Sequence, residues 1–132
     1  MTSARYVVLH HDHPFPHFDL MLERGLTLAA WRILDVPEPG RSVAAEKLGD
    51  HRRDYLDYEG PVPGGRGSVS GGRGSVRRVA SGHYEPISWG EDRVEARLDG
   101  SGAWAGEMVL ARKPDGAWTA YLILSSGSPR SM

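Results

Sequence analysis

The chain has 132 residues, 39% of them hydrophobic and 25% charged, with a formal net charge of −1. That length suits a single domain over 1–132 with a real core, and the near-neutral balance excludes a globally basic nucleic-acid binder, so any anion-binding surface must be local. Cysteine is absent, which excludes disulfides, thiolate metal sites and cysteine nucleophiles and leaves His, Asp and Glu to hold a metal.

The N-terminus, MTSARYVVLHHD, carries an apolar run too short for a signal peptide or a membrane span. The expectation is a cytoplasmic protein without membrane contact. With 17 Gly and 9 Pro, turns should be many and long helices few, which favours β structure. Residues 5–10 (RYVVLH) read as a first strand. Pro14 and Pro16 make the following segment a loop. From His17 the pattern alternates: His17, Asp19, Met21 and Glu23 share one face, and Phe18, Leu20 and Leu22 point into the core. Arg24-Gly25 reads as a turn, and 26–34 as the partner strand with Trp31.

Residues 35–41 are a Pro/Gly loop, and 42–48 (SVAAEKL) reads as a short helix with Ser42 as N-cap and Gly49 as stop. Residues 64–77 hold a tandem repeat, GGRGSVS then GGRGSVR, best explained as a duplicated surface loop whose Arg66, Arg73, Arg77 and Arg78 could meet phosphate. Strands at 94–98, 106–112 and 117–124 follow, the last two joined by a turn at 113–116, with a flexible tail at 125–132. The whole reads as mainly β: a single small β-barrel of antiparallel strands with one or two short helices.

Residues 11–19 (HDHPFPHFD) concentrate three histidines and two aspartates. Each histidine alone reads as a solvated loop residue. Together, His17 and Asp19 two apart on a strand, with His11 across a proline loop, have the composition of an open two-His, one-carboxylate metal site. A second polar cluster runs from Asp50 through His51 and Tyr55 to Glu59. It reads either as a solvated turn or as a place where His51 contacts phosphate and Tyr55 orients it. A serine elbow and a phosphate-binding P-loop are both missing. The four tryptophans read as core or rim residues.

These stretches resemble the 3′-phosphoesterase domain of bacterial ATP-dependent DNA ligase D and its small free-standing relatives. That family's first motif runs like RFVVQKHDATRLHYDFRLE, and residues 5–23 (RYVVLHHDHPFPHFDLMLE) align with it without a gap. Its second runs like EDHPLDYADFEGVIP, matched by 49–63 (GDHRRDYLDYEGPVP). A third, like GTVIVWDRGTW, corresponds to 74–84, which makes the second repeat copy the family position and the first the insertion.

The resemblance implies a manganese-binding β-barrel, with zinc as the alternative metal, that trims ribonucleotides and phosphates from DNA or primer 3′ ends during end joining. It implies His11, His17 and Asp19 as metal ligands, His51 at the scissile phosphate, and Tyr55 in support. It also implies nucleic-acid 3′ ends and end-joining proteins as partners. Two positions depart from the pattern: Met21 replaces an arginine, and Gly49 an acidic residue. The family's arginine and acidic residues upstream of the first strand have no counterpart here. Arg32 or Arg73 are the candidates to replace the missing cation. The alternatives are a degenerate module that binds metal, DNA ends or a partner without turnover, and a metal hydrolase or oxygenase acting on a small molecule.

Overall fold

A computed structural model of the chain describes residues 4–62, 73–100 and 102–123. Nine antiparallel strands carry it: β1 (Ala4–His11), β2 (His17–Arg24), β3 (Thr27–Ile33), β4 (Val43–Arg52), β5 (Gly60–Pro61), β6 (Ser75–Trp89), β7 (Arg93–Leu98), β8 (Gly106–Arg112) and β9 (Trp118–Ile123). Pairing runs β1-β2-β3-β4-β9-β8-β7-β6, and β6 pairs back onto β1, so eight strands form a closed ring. β5 adds two residues to the start of β6. The seam between β4 and β9 is short, spanning only Val43 to Ala45 on β4, so the rest of β4 leaves the ring open at one mouth.

The expected strands at 5–10, 17–23, 26–34, 94–98, 106–112 and 117–124 are all present within a residue or two. The turn at 113–116 closes through the Gly116 N–H donating to the Lys113 carbonyl at 2.8 Å. The expected helix at 42–48 is wrong, because that segment is the first part of β4. Its alanines suit a helix by intrinsic propensity, but the fold needs small residues there. Ala45 sits opposite Ile33 on one side and Trp118 on the other, and tertiary pairing overrides propensity. The helix among the described residues is instead a single 3₁₀ turn, Arg53–Leu56. The first repeat copy and the tail at 125–132 lie outside the described residues, as do Arg66 and the duplication's junction.

Strand alternation sorts the side chains into two apolar clusters rather than one. Inside the ring, Leu20, Leu22, Trp31, Ile33, Met108 and Leu110 pack with Tyr6, Tyr84 and Trp118. Trp31 forms edge contacts with Trp89 at 6.1 Å and Trp118 at 6.0 Å. The opposite face of β1–β2–β3 is not a solvated surface. Val7, Leu9, Met21, Leu28 and Ala30 are covered by Leu56 and Val62 from the 53–62 segment and by Val76. Burying a side chain such as Leu56, at 3% exposure, contributes about 2 kcal/mol.

Charged contacts pin the same segment. The Arg5 guanidinium donates to Asp57 at 2.7 Å, while its backbone N–H donates to Glu23 Oε1 at 2.9 Å. Arg53 pairs with the other oxygen of Glu23, and the Tyr84 hydroxyl donates to the Glu23 carbonyl at 2.7 Å. Burial pushes the Tyr84 hydroxyl up to about 12. The Arg5 N–H, and secondarily Arg53, hold the Glu23 carboxyl below its usual 4.5. A depressed carboxylate stabilises the fold above its unfolded value and loses that contribution as pH falls through the folded value. Glu23→Gln is therefore expected to cost about 1–2 kcal/mol at pH 7, and the difference from wild type should shrink as the pH is lowered beneath that carboxyl's range. Urea titrations at neutral and acidic pH check both parts.

Candidate metal centre

His11 and His17 are cross-strand partners on β1 and β2, and Asp19 lies two residues further along β2 on the same face. Their ligand atoms all fall within 4.8 Å of one another. The His17 side chain is 0% exposed, Asp19 5% and His11 16%.

The hydrogen bonds around the two rings fix their tautomers. His17 Nδ1 lies 2.8 Å from the Phe15 carbonyl, and His11 Nε2 lies 2.8 Å from the Arg73 carbonyl. A carbonyl only accepts, so those nitrogens carry hydrogens. A neutral ring then turns its other nitrogen, as a bare lone pair, toward Asp19. His17 Nε2 stands 3.0 Å from Asp19 Oδ1, yet both atoms are buried without a hydrogen-bond partner. Two acceptors at contact distance in a buried place repel. His11 Nδ1 faces Asp19 Oδ2 at 3.1 Å; in the absence of a cation a proton on that nitrogen would donate to the carboxylate, and this bond to Asp19 is what raises the His11 pKa above its usual 6.5. Three acceptors converging, with both imidazoles oriented by outer carbonyls, is the donor set that fits a divalent cation.

Neighbouring residues hold the cluster shut. The Asp12 carboxylate accepts the Ser75 N–H at 2.9 Å, and the Asp12 N–H donates back to the Ser75 carbonyl at 3.3 Å. This clasp sets the Arg73 carbonyl over His11. Gly74 is required between them: its φ is +76°, and a Cβ there would lie 2.2 Å from Asp12 Oδ1 and 2.6 Å from His13 Cβ. Gly74→Ala is expected to destabilise the fold by about 1–3 kcal/mol and to weaken metal binding roughly tenfold by releasing the His11 ring. A thermal melt and a metal titration read the two effects.

The other histidines and cations divide clearly. His10 points to the opposite face, edge-on to Phe18 at 5.4 Å, and His13 is exposed. Arg73 contributes its backbone carbonyl, while its side chain is exposed. Arg32 is the cross-strand partner of Asp19. Its guanidinium pairs with Glu46 at 3.2 Å and lies 5.7 Å from the Phe15 ring, and its Nε is buried without a partner.

His51 and Tyr55 come together, with ring centroids 5.8 Å apart, and the His51 Nδ1 hydrogen is held by the Gly49 carbonyl at 2.9 Å. Among the described residues no hydrogen bond or ion pair joins them to the first cluster. His51 pairs with Leu28, which pairs with Glu23. That sets it four residues along and two strands across from Asp19, on the order of 15 Å at Cα. Met21, 1% exposed, fills the ground between, with Tyr55 and Tyr58 packed against its cluster. Sequence reasoning missed the Phe15 and Arg73 carbonyls and the Asp12–Gly74–Ser75 clasp. The carbonyls have no residue-type signature, and the clasp joins residues 63 apart in sequence, which no local spacing reveals.

An antiparallel β ring carrying an outward His-His-Asp cluster is the framework on which the comparisons with known proteins bear. The family described as the DNA ligase D 3′-phosphoesterase domain matches residues 9–112, and the chain belongs to that family. Over 63 residues it is 38% identical to the multifunctional non-homologous end joining protein LigD of Pseudomonas aeruginosa. That match covers 46% of this chain and 8% of that protein. No helix among the described residues is long and apolar enough to cross a membrane.

Proposed function

We propose that the chain is a divalent-metal-dependent, phosphoesterase-like protein acting on the 3′ ends of DNA or primers in end joining. His11, His17 and Asp19 would hold the metal, manganese by family resemblance or zinc by ligand type. The observation that carries this reading is the pair of buried polar atoms, His17 Nε2 and Asp19 Oδ1, 3.0 Å apart and neither with a hydrogen-bond partner. When bound, the metal supplies Lewis-acid polarisation of a phosphoryl oxygen. The Phe15 and Arg73 carbonyls keep the two imidazoles aimed, and Asp19 supplies the negative charge. His51, with its Nδ1 hydrogen tied to Gly49, is suited to meet phosphate through Nε2 while Tyr55 packs against its ring.

The test is incubation of the pure protein with manganese and a primer-template ending in a 3′-ribonucleotide or a 3′-phosphate. Trimming that stops with chelator supports the reading. Metal bound without trimming supports a second one, a metal-loaded module that binds ends without turnover. Met21 favours that second reading: 1% exposed in the apolar cluster with Leu56 and Val62, it puts a buried apolar side chain where the family motif has a cation.

A further inference from the structure

The open mouth of the ring forms a groove of about 560 Å³, within the roughly 300–1,000 Å³ of ligand sites. It lies where β4 has left β9 beyond Ala45, and is lined by Arg24 and Thr27 at the β2–β3 turn, by Lys47 and Asp50 of β4, and by Trp89.

Charge and aromatic surface are combined there. The Arg24 guanidinium lies over the Trp89 ring at 3.9 Å, and the Lys47 ammonium over Trp31 at 4.9 Å. Most other described arginines are committed to carboxylates, as Arg5 is to Asp57 and Arg97 to Glu85 and Glu107. Arg24 and Lys47 make no ion pair among the described residues, and Lys47 donates only to the Leu48 carbonyl. The lining carboxylate, Asp50, accepts from the Thr27 hydroxyl at 3.2 Å instead. In a chain of net charge −1, two cations resting on tryptophan faces and lacking acidic partners mark a local anion site.

We propose that this groove binds single-stranded nucleic acid, with Arg24 and Lys47 at backbone phosphates and a base stacked on the Arg24–Trp89 pair. Cations tracking a backbone beside a stacking surface are how sequence-independent strand binding works. Arg24 lies five residues beyond Asp19 on β2, about 17 Å along the strand and on its opposite face, so the groove is a surface separate from the metal cluster. The proposal rests on the nucleic-acid reading of the chain but not on its metal.

The test is fluorescence anisotropy of a labelled oligothymidylate with the full chain in chelator, so that failure of metal chemistry leaves the measurement intact. Wild type should bind at low salt, with a fall in tryptophan emission. The Arg24→Ala/Lys47→Ala double variant should bind about tenfold more weakly, with a salt slope shallower by about 1.4. Trp89→Phe should lose most of the emission change, and Lys113→Ala, on the 113–116 turn and outside the groove lining, should match wild type. Absence of wild-type binding, a double variant indistinguishable from Lys113→Ala, or equal displacement by a polyglutamate peptide would each overturn the assignment. Trimming activity without groove binding would separate the two readings in the other direction.

Discussion

Asp19→Asn is expected to lower divalent-metal affinity by more than about 100-fold, beyond the range for losing an outer hydrogen-bond partner. The free protein should nonetheless stay folded. In the native cluster the Asp19 carboxylate is 5% exposed and faces one buried lone pair directly. An amide keeps the shape, removes the buried charge, and offers an N–H to His17 Nε2 or His11 Nδ1. The metal-free variant should therefore melt at or above the wild-type temperature, since a buried charge in poor surroundings costs stability. What disappears is the metal-induced rise in melting temperature, the linkage signature of a ligand that binds only the native state. Calorimetric titration with manganese and with zinc, beside paired melts, measures both halves. His10→Ala tests face specificity: it lies next to His11 but on the other side of the strand, so metal affinity should not change. An Asp19→Asn protein that still gains stability from metal would remove the cluster as the site.

The clustering of His11, His17 and Asp19 was readable in the sequence because its geometry is local. His17 and Asp19 share a face by strand alternation, and His11 reaches them through a short loop, so residue type and spacing carry the information. The strands were readable for the same reason, apart from β4, the two-residue β5 and β6. β4 is built of alanine and lysine that suit a helix, and its strand state is imposed by Trp31, Ile33 and Trp118, residues distant in sequence. β6 contains Gly82 and Pro86 and shifts register before Ser88, which breaks the alternation a reader looks for. The surroundings of Met21 were also hidden. Its position among His17, Asp19 and Glu23 made that face look polar, whereas 53–62 folds over it and turns its middle into a second core. Only the tertiary return of Leu56 and Val62 reveals this.

Met21→Arg, which would restore the family's cation, is for that reason expected to destabilise the protein by about 3–5 kcal/mol, the cost of a buried charge without a partner. Met21 is 1% exposed among Val7, Leu9, Leu28 and Val76. Of the carboxylates on either side of it along β2, Glu23 is engaged by Arg5 and Arg53, and Asp19 is turned toward the two histidines. Met21→Leu, which keeps volume and polarity, should cost less than about 1.5 kcal/mol, so the comparison isolates charge from packing. An anion should reverse part of the loss. If the guanidinium escapes by lifting Tyr55 and Tyr58, it opens the ground between Asp19 and His51. Inorganic phosphate would then bind there and stabilise the variant in a concentration-dependent way, while wild type gains little. Urea unfolding with and without phosphate gives the answer. A Met21→Arg protein as stable as wild type without phosphate would show that room for the guanidinium already exists, and that a single charge separates this chain from a complete phosphate site. A strongly destabilised variant rescued by phosphate would show that closure over Met21, beyond the missing charge, keeps substrate from spanning the metal cluster and His51.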